Sequence, residues 1–306
     1  MKKVNWGSSK EKVPAIAVGC MRINSVEFAQ AVRLIQSALE HDVNFFDHAD
    51  IYGRGTCEEI FSRALKETGE KRENIFIQSK CGIVPGVMYD FSKEHIIRSV
   101  EGSLKRLGTD YLDALLLHRP DTLMEPEEVA EAFDELERSG KVRYFGVSNQ
   151  NPMQMELMKK YVKQPLMANQ MQLSAAHTPM IQEQFETNTM NAGAVSRTGG
   201  VLDYCRLHGI TIQAWSPFQY GMFEGVFLGS DRYPELNQKI NEIAARYGVS
   251  DTTIAVAWIL RHPADMQVLS GTMTPARFEE ICKASEITLT RQEWYEIYRA
   301  AGNRLP

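Results

Sequence analysis

Nothing in the 306-residue sequence is long and apolar enough to cross a bilayer; no run approaches the ~20 apolar residues that a spanning helix needs. The first seven residues, Met1-Lys2-Lys3-Val4-Asn5-Trp6-Gly7, carry positive charge but lack the apolar core of a secretory signal. There is no Cys-x-x-Cys pair. The five cysteines (Cys20, Cys57, Cys81, Cys205, Cys282) are odd in number and widely spaced, which argues against a disulfide framework or a zinc site. Positive charge is not in excess either: 34 Lys and Arg against 39 Asp and Glu give a net charge of −5. General attraction to nucleic acid or to an anionic membrane is thereby excluded, and any anion site must be local. Internal repeats and low-complexity linkers are missing, as is a Gly-x-Gly-x-x-Gly turn after the first strand. Together these absences predict a cytoplasmic protein with one domain over residues 1–306.

What is there is an alternation of short apolar strands with amphipathic helices. Seven runs read as strands: Val43–Phe46, Ile75–Ile77, Leu112–Leu117, Val142–Val147, Met167–Gln170, Ile210–Ala214 and Gln267–Leu269; Ala15–Gly19 is a candidate first strand. They are apolar along their length, so both faces need cover, as in parallel strands flanked by helices. Val32, Ile35 and Leu39 share one helical face. Ile96, Val100, Leu104 and Leu107 mark a helix that Gly108 can end in a left-handed conformation. Pro126 opens another, with Val129, Phe133 and Leu136 on one face and Gly140 at its end. Thr56 and Glu59 have capping-box spacing ahead of Ile60, Phe61, Ala64 and Leu65, with Gly69 as the stop.

An apolar content of 43% and a charged content of 24% supply an ordinary globular core and surface. Strict strand–helix alternation over this length predicts an α/β fold, a closed (β/α)8 TIM barrel. Two stretches are long for barrel connections. Ser174–Gly200 predicts an added helix or a mobile cover. Pro217–Tyr233, with Phe218, Tyr220, Met222, Phe223, Phe227 and three glycines, predicts a flap over a ligand.

Four polar residues stand at the ends of three consecutive runs. Asp47 and Tyr52 follow Val43–Phe46, Lys80 closes the run from Ile75, and His118 closes Leu112–Leu117. In one parallel barrel they converge at the C-terminal edge, where barrel active sites sit. A phenol is a poor acid near neutral pH, but an ammonium beside it stabilises phenolate, so Lys80 is expected to lower the Tyr52 pKa. Asp47 supplies the counter-charge that keeps Lys80 protonated, and His118 can hold a carbonyl oxygen through a ring nitrogen. Such a set protonates an oxygen while electrons reach carbon from elsewhere. No residue of the set delivers a hydride, so a cofactor is required. His48-x-Asp50, His118 and His177 are of metal-ligand type. However, the Asp47–Tyr52 pair already accounts for that loop and no other His pair has ligand spacing, so no metal is expected.

The segment Asp47-His48-Ala49-Asp50-Ile51-Tyr52-Gly53, with Lys80 and Leu115-Leu116-Leu117-His118, resembles the catalytic set of the aldo-keto reductases. The resemblance runs over essentially the whole chain in consistent order. It implies an oxidoreductase that transfers hydride between NADPH/NADP+ and a small-molecule carbonyl substrate, an aldehyde or ketone. Tyr52 is then the general acid, Lys80 and Asp47 tune it, and His118 orients the carbonyl. Gly146-Val147-Ser148-Asn149 resembles the strand end that holds the nicotinamide carboxamide, with Gln170 assisting. Trp215-Ser216-Pro217-Phe218 stands where an aromatic stacks on the nicotinamide ring and pyrophosphate contacts follow. The segment from Ser270 to Arg277 stands where the adenosine 2′-phosphate is gripped, which brings in Gly271, Thr272 and Arg277. Gly19, Cys20, Met21, Asp47 and Glu280 complete the implied cofactor contacts.

The chain departs from the family pattern in two places. Many members carry a lysine near Gly271, whereas here only Arg277 is in register, which implies a modest advantage of NADPH over NADH. The chain stops soon after Trp294–Arg299, so a long C-terminal loop is expected to be absent. Substrate selection then falls to the loops around Cys81–Phe91 and Pro217–Tyr233, with Met88, Tyr89, Tyr220 and Phe223 as the expected contacts. The resemblance extends to cofactor-sensing barrel subunits attached to some potassium channels. Turnover of aldehydes at ordinary rates separates an enzyme from those. Oligomeric state is not legible.

Overall fold

The structure, a computed structural model, describes residues 1–305. The chain enters through an antiparallel hairpin, β1 (Lys3–Asn5) and β2 (Lys12–Pro14). Three barrel strands follow, β3 (Ile16–Gly19), β4 (Phe45–Asp47) and β5 (Phe76–Cys81), and then a small hairpin of β6 (Ile83–Val84) and β7 (Met88–Tyr89). The barrel is completed by β8 (Leu112–Leu117), β9 (Val142–Ser148), β10 (Leu166–Gln172), β11 (Thr211–Trp215) and β12 (Gln267–Ser270). Each barrel strand pairs in parallel with the next and β12 pairs back with β3, so the sheet has no free edge. All eight runs expected from the sequence are in it.

Full burial explains why those runs are mostly apolar: every residue of β5 and of β8 is inside, and their polar members Gln78, Ser79, Lys80 and Asp113 are all hydrogen-bonded. One face of each strand fills the barrel and the other meets helices. Trp6, wholly buried, packs edge-on against Phe45 and Phe76 at ring-centroid distances of 5.6 and 5.2 Å. It closes the N-terminal end of the barrel, which leaves the opposite end for chemistry.

The helices are α1 (Phe28–Glu40), α2 (Thr56–Thr68), α3 (Lys93–Leu107), α4 (Pro126–Arg138), α5 (Pro152–Lys159) and α6 (Pro179–Phe185). They continue with α7 (Val201–His208), α8 (Pro234–Tyr247), α9 (Asp251–Leu260), α10 (Pro275–Lys283) and α11 (Arg291–Ala300). Gly69 and Gly108 end α2 and α3 at φ 71° and 63°, a conformation that costs glycine nothing. The buried face of α1 is Ala31, Leu34, Ile35 and Ala38, a rotation from the expected one, with Val32 and Leu39 on its flank. The helix within Ser174–Gly200 is α6.

The expected capping box at Thr56 does not form. Thr56 is the first residue of α2 and its hydroxyl donates back to the Gly53 carbonyl at 2.8 Å; the preceding residue, Gly55, is left-handed at φ 93°. A tight turn from Tyr52 to Gly55, with positive φ at Gly53 and Arg54, runs straight into the helix and leaves no extended residue to act as a cap. Complete capping boxes stand instead at Asn151 and Thr290.

The stretch Pro217–Tyr233 is a folded loop bridged between Gln219 and Val226. Phe227 is wholly buried and anchors it, while Met222 and Phe223 are exposed. None of the described helices is long and apolar enough to cross a membrane.

Candidate active site

Strand ends bring the four polar residues together. Asp47 is the last residue of β4, Lys80 lies within β5 one residue before its end, His118 directly follows β8, and Tyr52 opens the tight turn after β4. Lysine has three N–H donors, and the Lys80 ammonium has three acceptors within reach: Asp47 Oδ2 at 2.8 Å, the His48 carbonyl at 2.7 Å and the Tyr52 hydroxyl at 3.2 Å. Lys80 is wholly buried and Asp47 nearly so. The Tyr52 and His118 rings meet edge to face with centroids 5.8 Å apart.

The burial sets the protonation states. Removal from water works against the charge on Lys80, but the Asp47 carboxylate and the Tyr52 hydroxyl outweigh it and hold the ammonium pKa above its ordinary value. Tyr52 corrects the expectation of a lowered pKa. Burial pushes the phenol up from its ordinary value, and Lys80, the next largest influence, offsets this only in part. The phenol is therefore held in its acid form. Burial, aided by the charges of Lys80 and Arg119, pulls His118 well below the ordinary imidazole range, so the ring is neutral. Its Nδ1 is buried without a hydrogen-bond partner among the described residues. His48 is likewise neutral, its pKa pulled down to about 3, and it rests on Phe61 with ring centroids 4.5 Å apart. No three His, Cys, Asp or Glu side chains gather as metal ligands among the described residues.

Beneath Asp47 lies a buried network that the sequence reading missed. Strand register places Gln78 beside Asp47, Gln170 beside Gln213, and Gln213 beside Gln267. Asp47 Oδ1 accepts from Gln78 at 2.6 Å and from Gln170 at 3.1 Å. Gln213 Oε1 accepts from the same two amides at 3.0 and 3.2 Å, and Gln213 Nε2 donates to Gln267 Oε1 at 2.8 Å. Gln267 in turn donates to the Pro14 carbonyl at 2.7 Å. The ends fix the direction of the ladder. A carboxylate and a carbonyl can only accept, so each terminal amide must present its NH2 outward and pass its oxygen inward. The sequence signal was a glutamine inside otherwise apolar strands, as in Ile75-Phe76-Ile77-Gln78 and Thr211-Ile212-Gln213-Ala214.

The residues expected to hold the cofactor lie around this centre. Gly19 pairs with Asp47 across β3 and β4, and Cys20 and Met21 begin the turn that follows. Asn149, at φ 57°, donates to Ser148 Oγ at 2.7 Å, and Ser148 donates to the Gln170 carbonyl at 3.1 Å. Asn149 Oδ1 accepts from Trp215 Nε1 at 3.3 Å, which joins the ends of β9 and β11. Ser216 is left-handed at φ 51°, turning the chain sharply into Pro217 and Phe218. Between the ends of the neighbouring strands β3 and β12, Arg22 grips the Gly271 carbonyl through two N–H groups, at 2.5 and 3.1 Å. Thr272 is buried, Arg277 stands exposed in the first turn of α10, and Glu280 pairs with Lys283 at 2.5 Å.

A cavity of about 230 Å³ opens beside Trp215 and Asn149, walled by Arg119, His177, Arg197 and Met222 among others. The expected substrate contacts Met88, Tyr89, Tyr220 and Phe223 do not line it; Met222 does. Met88 and Tyr89 are turned outward on the β6–β7 hairpin, and Tyr220 is occupied with the Glu224 carbonyl at 2.7 Å and the Tyr233 ring. A larger groove, about 700 Å³, opens at the opposite end between the N-terminal hairpin and α7, and holds none of the expected site residues.

The sequence model of the Aldo/keto reductase family matches residues 15–301. The "Uncharacterized oxidoreductase YcsN" of Bacillus subtilis is 36% identical over 295 residues, covering 92% of each chain. A "6-dehydroglucose reductase" of Agrobacterium fabrum is 34% identical over 307 residues, covering 96% of each. Among solved structures, the thermostable aldo-keto reductase Tm1743, in complex with the inhibitor epalrestat, gives a TM-score of 0.76 at 27% identity. The match covers 98% of this chain and all of that one.

Proposed function

Since the chain belongs to the aldo/keto reductase family, oxidoreductases that work with nicotinamide cofactors, we propose that it reduces the carbonyl group of an aldehyde or ketone with NADPH, using Tyr52 as the general acid. The observation that carries this reading is the 3.2 Å contact between Lys80 Nζ and the Tyr52 hydroxyl, with Asp47 2.8 Å from the same nitrogen. The ammonium stabilises the phenolate that Tyr52 becomes when it gives up its proton. Because burial holds the phenol protonated beforehand, the acid is loaded across the neutral range.

His118 supports the same step. A neutral imidazole has one N–H and one bare nitrogen, so its N–H can bond the carbonyl oxygen beside Tyr52 without adding a charge that would repel Lys80. Asp47 offsets the lysine charge, and Gln78 and Gln170 fix the carboxylate's other oxygen. In the reverse reaction Tyr52, as phenolate, takes the proton from an alcohol.

Bound reduced nicotinamide supplies the hydride. Several features of the chain fit that group. The Asn149 amide, beside Trp215, and the Ser148 hydroxyl, on the Gln170 carbonyl, gather at one strand end, the composition that a carboxamide and a flat ring call for. α10 begins at Thr274 without a side-chain cap, so its first amides remain open to an anion, and the Arg277 guanidinium is exposed in that turn. Arg277 and those amides would hold a 2′-phosphate; Trp215 would cover the nicotinamide, with Ser216, Pro217 and Phe218 near the pyrophosphate. Gly19, Cys20, Met21, Gly271, Thr272 and Glu280 line the proposed path of the cofactor.

The test is to follow NADPH oxidation at 340 nm over a panel of aromatic aldehydes, dicarbonyls and keto sugars. Turnover of members of this panel at ordinary reductase rates supports the reading; folded protein that binds NADPH and reduces none of them would refute it.

A further inference from the structure

The cavity beside Trp215 has a charge that the rest of the chain does not share. The protein is acidic overall, with 39 acidic against 34 basic residues. Yet the titratable side chains that wall this cavity are Arg119, Arg197 and His177, with no Asp or Glu among them. The Glu224 carboxylate is felt at His177 but is not part of the wall.

Arg119 directly follows His118, and its charge is among those felt at the His118 ring. Its guanidinium lies 5.7 Å from the Trp215 ring centroid, and its Nη2 is 3.7 Å from Met222 Sδ. Arg197 leans on the Ala192 and Val195 carbonyls at 3.2 and 3.3 Å. Five arginines of this fold, Arg72, Arg106, Arg143, Arg206 and Arg246, are tied to carboxylates. Among the described residues, Arg119 and Arg197 have no such partner. A thioether and an aromatic face are weak company for a half-buried guanidinium, whose planar fork is built for a carboxylate, phosphate or sulfonate. Like charges lining a concave, low-dielectric wall also concentrate counter-charged solutes.

We propose that the carbonyl compound reduced here carries an anionic group, received by Arg119 with Arg197 at the rim. This rests on the carbonyl-reductase reading and narrows its substrate class. With a cavity of about 230 Å³, walled by Arg119 and Trp215 together, the compound is small.

The experiment compares 4-carboxybenzaldehyde with benzaldehyde on the NADPH-loaded enzyme. A para-carboxylate changes the electron demand of the carbonyl little, so the ratio of kcat/KM reports recognition of the charge. The charged aldehyde should win by about tenfold or more, chiefly through KM, as expected for one charge-assisted hydrogen-bonded pair. The advantage should shrink with added salt. In Arg119→Gln the ratio should fall toward one, with Arg119→Lys between and Arg197→Gln showing a smaller loss. A wild-type ratio near one or below would overturn the inference alone and leave carbonyl reduction intact. So would an Arg119→Gln variant that loses both aldehydes equally while its KM for NADPH rises, since Arg119 would then serve the cofactor. Reduction of neither aldehyde would overturn the carbonyl-reductase reading, and this inference with it.

Discussion

Gln78 donates its amide to Asp47 Oδ1 at 2.6 Å, on the oxygen that Lys80 does not use. The carboxylate is thereby held from two sides, by a cation at its mouthward oxygen and by neutral amides beneath. Gln78→Leu keeps the volume but removes one of the two amides that donate to Gln213 Oε1 and one of the two that donate to Asp47 Oδ1, and it leaves Gln213 Nε2 with Gln267 alone. We expect a loss of about 1–3 kcal/mol in denaturant unfolding, the cost of leaving buried polar groups unpaired. A midpoint indistinguishable from wild type would mean that the ladder adds nothing to the fold.

Tyr52→Phe removes the hydroxyl and preserves the ring. Carbonyl reduction should fall on the order of 10²-fold or more, the scale of general acid catalysis, with NADPH affinity nearly unchanged. The two pKa directions set the pH profile. Tyr52 must be protonated to act and its pKa lies above 10.0, so the acid form persists up to that pH. His118 lies well below 6.5 and stays neutral above it. Reduction should therefore show no inflection between those values. A fall in kcat/KM between about pH 7 and 9 would assign the proton to another group.

Lys80→Met leaves Asp47 buried without its cation. Breaking one side of a buried pair costs about 3–5 kcal/mol, so this variant should melt well below wild type. Adding Asp47→Leu removes the stranded charge. The double variant should recover much of the stability and none of the activity, as read by thermal unfolding beside NADPH oxidation. Equal stability of the single and double variants would show that the pair is not coupled as its 2.8 Å contact suggests.

Arg277→Ala addresses cofactor choice. Its loss should weaken NADPH binding by roughly 1.5–3 kcal/mol, the range for hydrogen bonds to charged groups, and leave NADH almost unaffected. Cofactor titration by tryptophan fluorescence measures both. An equal loss for the two cofactors would place Arg277 on a part that they share.

The strands were legible because a segment buried on both faces leaves an apolar run, as Ala114–Leu117 does. Asp47, Lys80 and His118 were legible because each interrupts or ends such a run at the same edge. The glutamine ladder was not. Its partners lie 135 residues apart for Gln78 and Gln213 and 123 for Asp47 and Gln170, and only barrel closure sets them side by side. The Thr56 capping box failed because a left-handed turn, needed to carry Tyr52, claimed the residues before it. The direction of the Tyr52 shift was missed because sequence shows which charges are near, not how little water remains. Arg119 drew no reading from the sequence, because only the folded chain shows the cavity that it walls.

The line of amides from Asp47 to the Pro14 carbonyl also decides where protons can travel. A carboxylate, imidazole or chain of waters can pass a proton along; a primary amide near neutral pH neither gives one up nor takes one on. The barrel interior below Asp47 is thus an insulator, well wired for holding geometry and closed to proton current. On the proposed role of Tyr52, any proton it spends has to be replaced from above, through the same mouth that would admit the substrate. That mouth would then serve two purposes in each cycle: product leaves and the acid is reloaded.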